Sequence, residues 1–218
     1  MIAVKKREDV QEVQAEAKQD AFVDRFVEED KNYMSGREHE EIVLDPKKYI
    51  LSKTDAKGVI EYGNEYFVEI SGYKEEELIG KPHNIVRHPD MPKIIFKFLW
   101  QRLQNDENII AVVKNRSKDG RFYWVMTDFE IKKDPVTNQI ISYFAYRKAA
   151  PKKAVEAIEP LYKKLCDIEK VSGMDGSYKY LVALLEAQGK TYDQFIDEIT
   201  GRNGIMKMWF AAMKKFFS

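Results

Sequence analysis

The run Lys81–Trp100, KPHNIVRHPDMPKIIFKFLW, carries the reading of this chain. It opens as a Pro-punctuated loop and closes as a helix. Pro89 and Pro92 suit a first helical turn, where a missing N–H costs nothing and φ is already set. Beyond Pro92, Ile95, Leu99 and Leu103 recur at helical spacing, flanked by Phe96 and Trp100. Arg87, His88 and Asp90 therefore collect at the mouth of a helix that carries a large aromatic. A helix N-terminus presents unpaired N–H groups and a positive dipole end, which together seat an anion. Arg87 adds a planar fork that matches phosphate, and His88 a further donor. A pocket for a planar, phosphate-bearing ligand follows. The same residues also suit a surface turn in which Asp90 caps the helix and Arg87 pairs with it.

Outward from this run the pattern is that of an α+β domain with an antiparallel sheet and short helices on one face. Lys48–Asp55 reads as a strand, Asp55–Gly58 as a tight turn and Val59–Tyr62 as the returning strand. Asn64–Ile70 is a short helix stopped by Gly72, and Glu75–Ile79 another closed by Gly80. After the central helix come three strand candidates, Asn108–Asn115, Arg121–Lys132 and Gln139–Arg147. The organisation is residues 1–45 as an N-terminal helix and connector, 46–150 as the sheet domain and 151–218 as a helical extension.

The N-terminal helix is expected over Arg7–Tyr33, where Gly and Pro are absent. In the extension, Ala154, Ile158, Leu161 and Leu165 mark one helical face, and SGMDG breaks the helix at Gly173 and Gly176. Ser177–Gln188 forms a second helix. Thr191–Ile199 forms a third, with Thr191 as N-cap and Gln194 completing a capping box. Gly204–Ser218 reads as an amphipathic, locally cationic end. Its partner is a groove on a protein or, as the alternative, an anionic membrane surface.

Composition narrows the function. Lys+Arg and Asp+Glu number 36 each in 218 residues, so no global charge points to nucleic acid. Cys166 stands alone, which excludes an intramolecular disulfide and any CxxC motif. The N-terminus lacks the apolar core of a signal peptide, and no window approaches the ~18 consecutive apolar residues of a membrane span. A cytoplasmic location is expected. His39, His83 and His88 are accompanied by no GxSxG, GxGxxG, P-loop or HExxH string, so an enzyme is not expected. His83 reads as structural, bonded to a backbone carbonyl, and Trp100 by spacing alone fits a core aromatic equally well.

The run PHNIVRHPDMP, with Phe96, Trp100 and the later VKNRSKDGRFYWV, closely resembles the flavin-binding PAS domain of the bacterial aerotaxis receptor family over roughly Lys48–Arg147. The resemblance implies a five-stranded sheet of order 2-1-5-4-3 and a noncovalently bound FAD. It implies Arg87 and His88 at the phosphates or adenine, Asp90 fixing their loop, Trp100 against a ring, and Asn115 at the isoalloxazine edge. Haem held by His88 or His83, or no cofactor at all, are the alternatives. Cys166 lies outside the resembling segment, so cysteinyl–flavin photochemistry of the light-sensing type is not expected. In that family a membrane anchor, a HAMP segment and a signalling coiled coil follow the PAS domain. None is seen up to Ser218, so the expected output is a separate membrane-bound chemoreceptor carrying those parts, with homodimer formation and membrane contact through the last helix also open.

Overall fold

A computed structural model describes residues 36–201. The expected N-terminal helix and the amphipathic end lie outside the described residues.

Five antiparallel strands form one sheet in the order β2-β1-β5-β4-β3: β1 (Ile50–Asp55), β2 (Ile60–Gly63), β3 (Ile110–Arg116), β4 (Phe122–Lys133) and β5 (Ile140–Ala149). This is the strand order implied by the resemblance. The helices are α1 (Glu65–Ser71), α2 (Glu75–Leu78), α3 (Lys93–Gln104), α4 (Lys152–Ala187) and α5 (Tyr192–Thr200), with a 3-10 turn at His83–Val86.

Local chemistry sets the boundaries. Asn64 caps α1, its Oδ1 accepting from Phe67 N–H at 3.0 Å. The same side chain bonds Leu51 N–H and the Tyr49 carbonyl, which fastens α1 to the start of β1. Gly72 ends α1 in the left-handed region at φ 70°, and a Cβ there would meet Ser117 Oγ at 2.9 Å. The capping box of Thr191 and Gln194 opens α5 as expected.

The break in α4 falls at Gly173 alone, with φ 66° and ψ −171°. Gly176 stays helical, because its bare Cα packs against Ser172, whose Cβ would lie 2.5 Å from an added Cβ. The expected break at Gly176 is therefore corrected: close packing, not a turn, requires that glycine.

The pleat sorts side chains onto two faces. Asn115, Tyr123, Thr127, Tyr143, Arg147 and Ser52 share the inner face, where Trp100 of α3 meets Tyr143 edge-on at 5.4 Å and His83 reaches Ser52. Lys114, Trp124 and Val112 share the outer face, which α4 covers. There Tyr162 tilts against Trp124 at 6.3 Å, and its hydroxyl donates to the Val112 carbonyl at 2.8 Å. Ala154, Ile158, Tyr162 and Leu165 of α4 are buried. Burying its three large side chains contributes roughly 5 kcal/mol or more, an upper bound that ignores residual burial in the unfolded chain. Helix α5 docks on α3 through Phe98–Tyr192 at 5.1 Å and the Arg102–Asp193 ion pair at 2.7 Å.

Candidate functional site

The Arg87–Pro92 loop lies along the free edge of β3. Arg87 forms an isolated bridge with Asn115, and His88 N–H reaches the Lys114 carbonyl at 3.4 Å. Pro89 sits in a tight turn, and Pro92 is the residue just before α3 rather than within its first turn. Arg87 is held by donation to the Met91 carbonyl at 3.0 Å and by stacking over Phe96 at 4.2 Å. Burial lowers its pKa to about 10, with Glu169 and then Cys166 working the other way.

His88 is 4% exposed. Its Nδ1 accepts from Asp90 N–H at 3.1 Å, which leaves the proton of the neutral ring on Nε2, a buried atom with no hydrogen-bond partner among the described residues. Burial first, then Lys114, pushes its pKa to about 4, so the 3.5 Å approach to the Asp90 carboxylate is not an ion pair at neutral pH. Asp90 instead accepts from Lys114 Nζ at 3.0 Å. Burial opposes its ionisation, but the Lys114 bond and neighbouring charges outweigh it and hold the carboxyl below its usual value.

Neither sequence reading of the helix mouth describes what fills it. Asp90 does not cap α3, and Arg87 does not pair with Asp90. The cap comes from the C-terminal extension: Glu169 of α4 accepts from Lys93 N–H and Ile94 N–H, both at 2.9 Å. Across the Gly173 break, Ser177 Oγ donates to the same carboxylate at 3.1 Å. The anion seat is real, but an internal carboxylate occupies it, as the dipole and free N–H groups favour. Cys166 Sγ donates to the Asp90 carbonyl at 3.2 Å, and Glu159 lies 3.7 Å from Lys114 Nζ, so α4 straps the whole loop.

The other two sequence candidates lie on the inner face. Trp100 is half-buried against Tyr143, and Asn115 is buried on β3 near Tyr123. The fold thus divides the five: Arg87, His88 and Asp90 at the β3 edge beneath α4, Trp100 and Asn115 over the inner face.

The inner face also holds a polar group that sequence reasoning passed over. Arg147 of β5 donates to Ser52 Oγ at 2.8 Å and to His83 Nε2 at 3.0 Å, and Ser52 Oγ lies 3.1 Å from that nitrogen. His83 bonds these side chains through Nε2, and a backbone hydrogen bond at His83 itself works against the lowering of its pKa. With Nε2 accepting, its proton is on Nδ1, and burial followed by the Arg147 charge keeps the ring neutral. Across the ladder, Thr127 pairs with Arg147, and its Oγ1 is buried without a hydrogen-bond partner among the described residues. The Tyr123 hydroxyl is likewise buried with no hydrogen bond of good geometry among the described residues, although Asn115 lies close enough to favour its ionised form. A signal existed in the sequence, since counting back by twos from Arg147 gives Ala145 and Tyr143, a charged residue in an otherwise inward register.

Comparisons with known proteins agree with this architecture. Residues 60–141 match the PAS fold family. Over 118 residues the chain is 42% identical to the Aerotaxis receptor of Escherichia coli (strain K12), an alignment covering 53% of this chain and 22% of the receptor. Over 81 residues it is 27% identical to the Biofilm dispersion protein BdlA of Pseudomonas aeruginosa, covering 37% of this chain and 19% of that protein. The chain thus spans about a fifth of the length of each relative. Among solved structures, the PAS domain of a protein from Colwellia psychrerythraea superposes with a TM-score of 0.43 and 20% identity, over 46% of this chain and 85% of that one. The match over residues 60–141 and the 2-1-5-4-3 sheet converge on a PAS fold, and over 118 residues the sequence is similar to that of the Aerotaxis receptor.

Proposed function

We propose that this PAS domain binds FAD and acts as a redox sensor for energy taxis, without catalysing a reaction of its own. The observation that carries the reading is the 42% identity to the Aerotaxis receptor over 118 residues. The residues present fit a planar, acceptor-rich group, because buried Tyr123 Oη and Thr127 Oγ1 on the inner face have no hydrogen-bond partner among the described residues. Arg87, His88 and Asp90 are the candidates for the phosphate and adenine end, Trp100 for a ring contact and Asn115 for the isoalloxazine edge. A bound flavin would supply a reversible store of electrons.

The chain's own contribution is to couple the inner face to the outer one. Strand β3 carries Asn115 inward and Lys114 outward, and Lys114 meets Asp90 and Glu159 beneath α4. A change in the hydrogen bonding of Asn115 shifts the strand that anchors the strap. Output then passes through the extension, residues 151–218, to a separate membrane-bound chemoreceptor with HAMP and signalling segments, and the sensor, with its core in 46–150, works in the cytoplasm. Among the described residues no helix is long and apolar enough to cross a membrane.

The visible absorption spectrum of the purified protein tests the cofactor. The paired bands of oxidised flavin, with FAD released on denaturation, support the reading. A sharp Soret band would replace FAD by haem, and for that reading His83 is already engaged by Arg147. A colourless protein that takes up no added FAD would leave only an interaction module.

A further inference from the structure

The anion seat at the mouth of α3 is filled by a group that any incoming anion has to displace. Glu169 accepts from Lys93 N–H and Ile94 N–H at 2.9 Å, and Arg87 of the adjoining loop lies close enough to feel its charge. Two converging backbone donors, a positive dipole end and a guanidinium are what a phosphate group would meet there. The carboxylate stands in its place. His88 of the same loop is 4% exposed, and its Nε2 has no hydrogen-bond partner among the described residues. The loop thus keeps a buried N–H that Glu169 does not use. The stretch that brings Glu169 is also held unlike the rest of α4. Ala154, Ile158, Tyr162 and Leu165 are buried, and burial resumes at Ser177 and Leu181. Between Leu165 and Ser177 every side chain is exposed or half-buried. Three polar contacts fasten this stretch: Cys166 Sγ to the Asp90 carbonyl, the Glu169 carboxylate to α3, and Ser177 Oγ to that same carboxylate. Gly173 breaks the helix at φ 66°, where an added Cβ would touch nothing, so this glycine serves the bend and not close packing. A bend between two buried anchors, fastened by hydrogen bonds, is able to lift without unpacking the sheet.

Resting on the flavin reading, we infer that residues 166–176 form an autoinhibitory strap whose Glu169 carboxylate occupies the seat of a flavin phosphate group and is displaced when FAD docks. With the phosphate at the Lys93 and Ile94 N–H groups, Glu169 leaves the mouth of α3, Ser177 loses its acceptor, and the stretch on the near side of Gly173 lifts. Loss of FAD lets the carboxylate return and close the seat. The strap therefore competes with the phosphate end of the ligand and leaves its ring untouched. A flavin without phosphates does not open it. Occupancy of the loop is in this way reported to the helical extension.

The test compares the full-length wild type with Glu169→Ala and Glu169→Gln, reading affinity for FAD and for riboflavin, which has the same ring and no phosphate. Glu169→Ala should bind FAD about five- to a hundredfold more tightly, since the phosphate no longer displaces a capping charge. Glu169→Gln should fall between it and wild type, and riboflavin affinity should stay at the wild-type level in both. Hydrogen exchange of the wild-type protein needs no variant. FAD should speed exchange across residues 166–176 while the Lys93 and Ile94 amides stay protected, and riboflavin should do neither. FAD affinity that is unchanged or weaker in both variants overturns the inference alone. So does an equal gain for riboflavin, which makes the effect a general loosening, or a wild-type strap that stays protected when FAD binds. Wild-type protein that binds neither FAD nor riboflavin overturns this inference and the flavin reading together.

Discussion

Replacing Glu169 by Ala removes the carboxylate that closes the N-terminus of α3. Two backbone N–H groups, those of Lys93 and Ile94, lose acceptors at 2.9 Å, and Ser177 Oγ loses one at 3.1 Å. Loss of an N-terminal cap costs about 0.5–2 kcal/mol, and loss of a negative charge at the dipole end adds about 0.3–1 kcal/mol. The buried Arg87 guanidinium also loses the nearby charge that favours its ionised form. A total of about 1–3 kcal/mol follows, or roughly 2–12 °C in Tm for a domain of this size. Glu169→Gln keeps one oxygen but turns an NH2 toward a backbone donor, so it should lose about half as much. Urea unfolding followed by tryptophan fluorescence reads the total. Hydrogen exchange reads its location: the Lys93 and Ile94 amides and the segment 152–187 should lose protection together. If Glu169→Ala unfolds within about 0.5 kcal/mol of wild type, the range of an ordinary surface substitution, and 152–187 stays protected, the strap does not hold α4 to the loop.

Three further outcomes are expected. Tyr162→Phe removes the hydroxyl that donates to the Val112 carbonyl and should cost about 1 kcal/mol in urea unfolding, with the fold intact by circular dichroism. Arg87→Ala loses the Met91 bond and the stacking on Phe96, and FAD retained through dialysis should fall about ten- to a hundredfold; full retention would remove Arg87 from the proposed site. Stability should fall as pH drops from about 6.5 toward 4, because the unfolded His88 takes a proton near its ordinary value while the folded ring does so only at about 4. The unfolded state binds more protons throughout that window, so His88→Gln should flatten the slope in a pH series of urea titrations.

The elements were legible in the sequence because they are set by local pattern. Ile95, Leu99 and Leu103 appear at helical spacing in KIIFKFLWQRL, and all three are buried in α3. The strand candidates Asn108–Asn115 and Arg121–Lys132 correspond to β3 and β4, and Thr191 with Gln194 marks the start of α5. Arg87, His88 and Asp90 were visible as a cluster for the same reason, being neighbours in one loop. What local pattern lacks is any record of distance across the fold. Glu169 lies 75 residues from Ile94 and reads in sequence as one more acidic residue on a solvated helix face. Only the packing of α4 across the outer sheet face brings it to the mouth of α3, where it fills the seat that Arg87 and the helix dipole prepare. Arg147 likewise reads as the polar end of an apolar strand until the β1–β5 pairing sets it beside Ser52 and the 3-10 turn delivers His83. Hydrophobic periodicity determines which side of each element is buried. Which charges meet there depends on register and helix docking, and these are fixed only when the whole core packs at once.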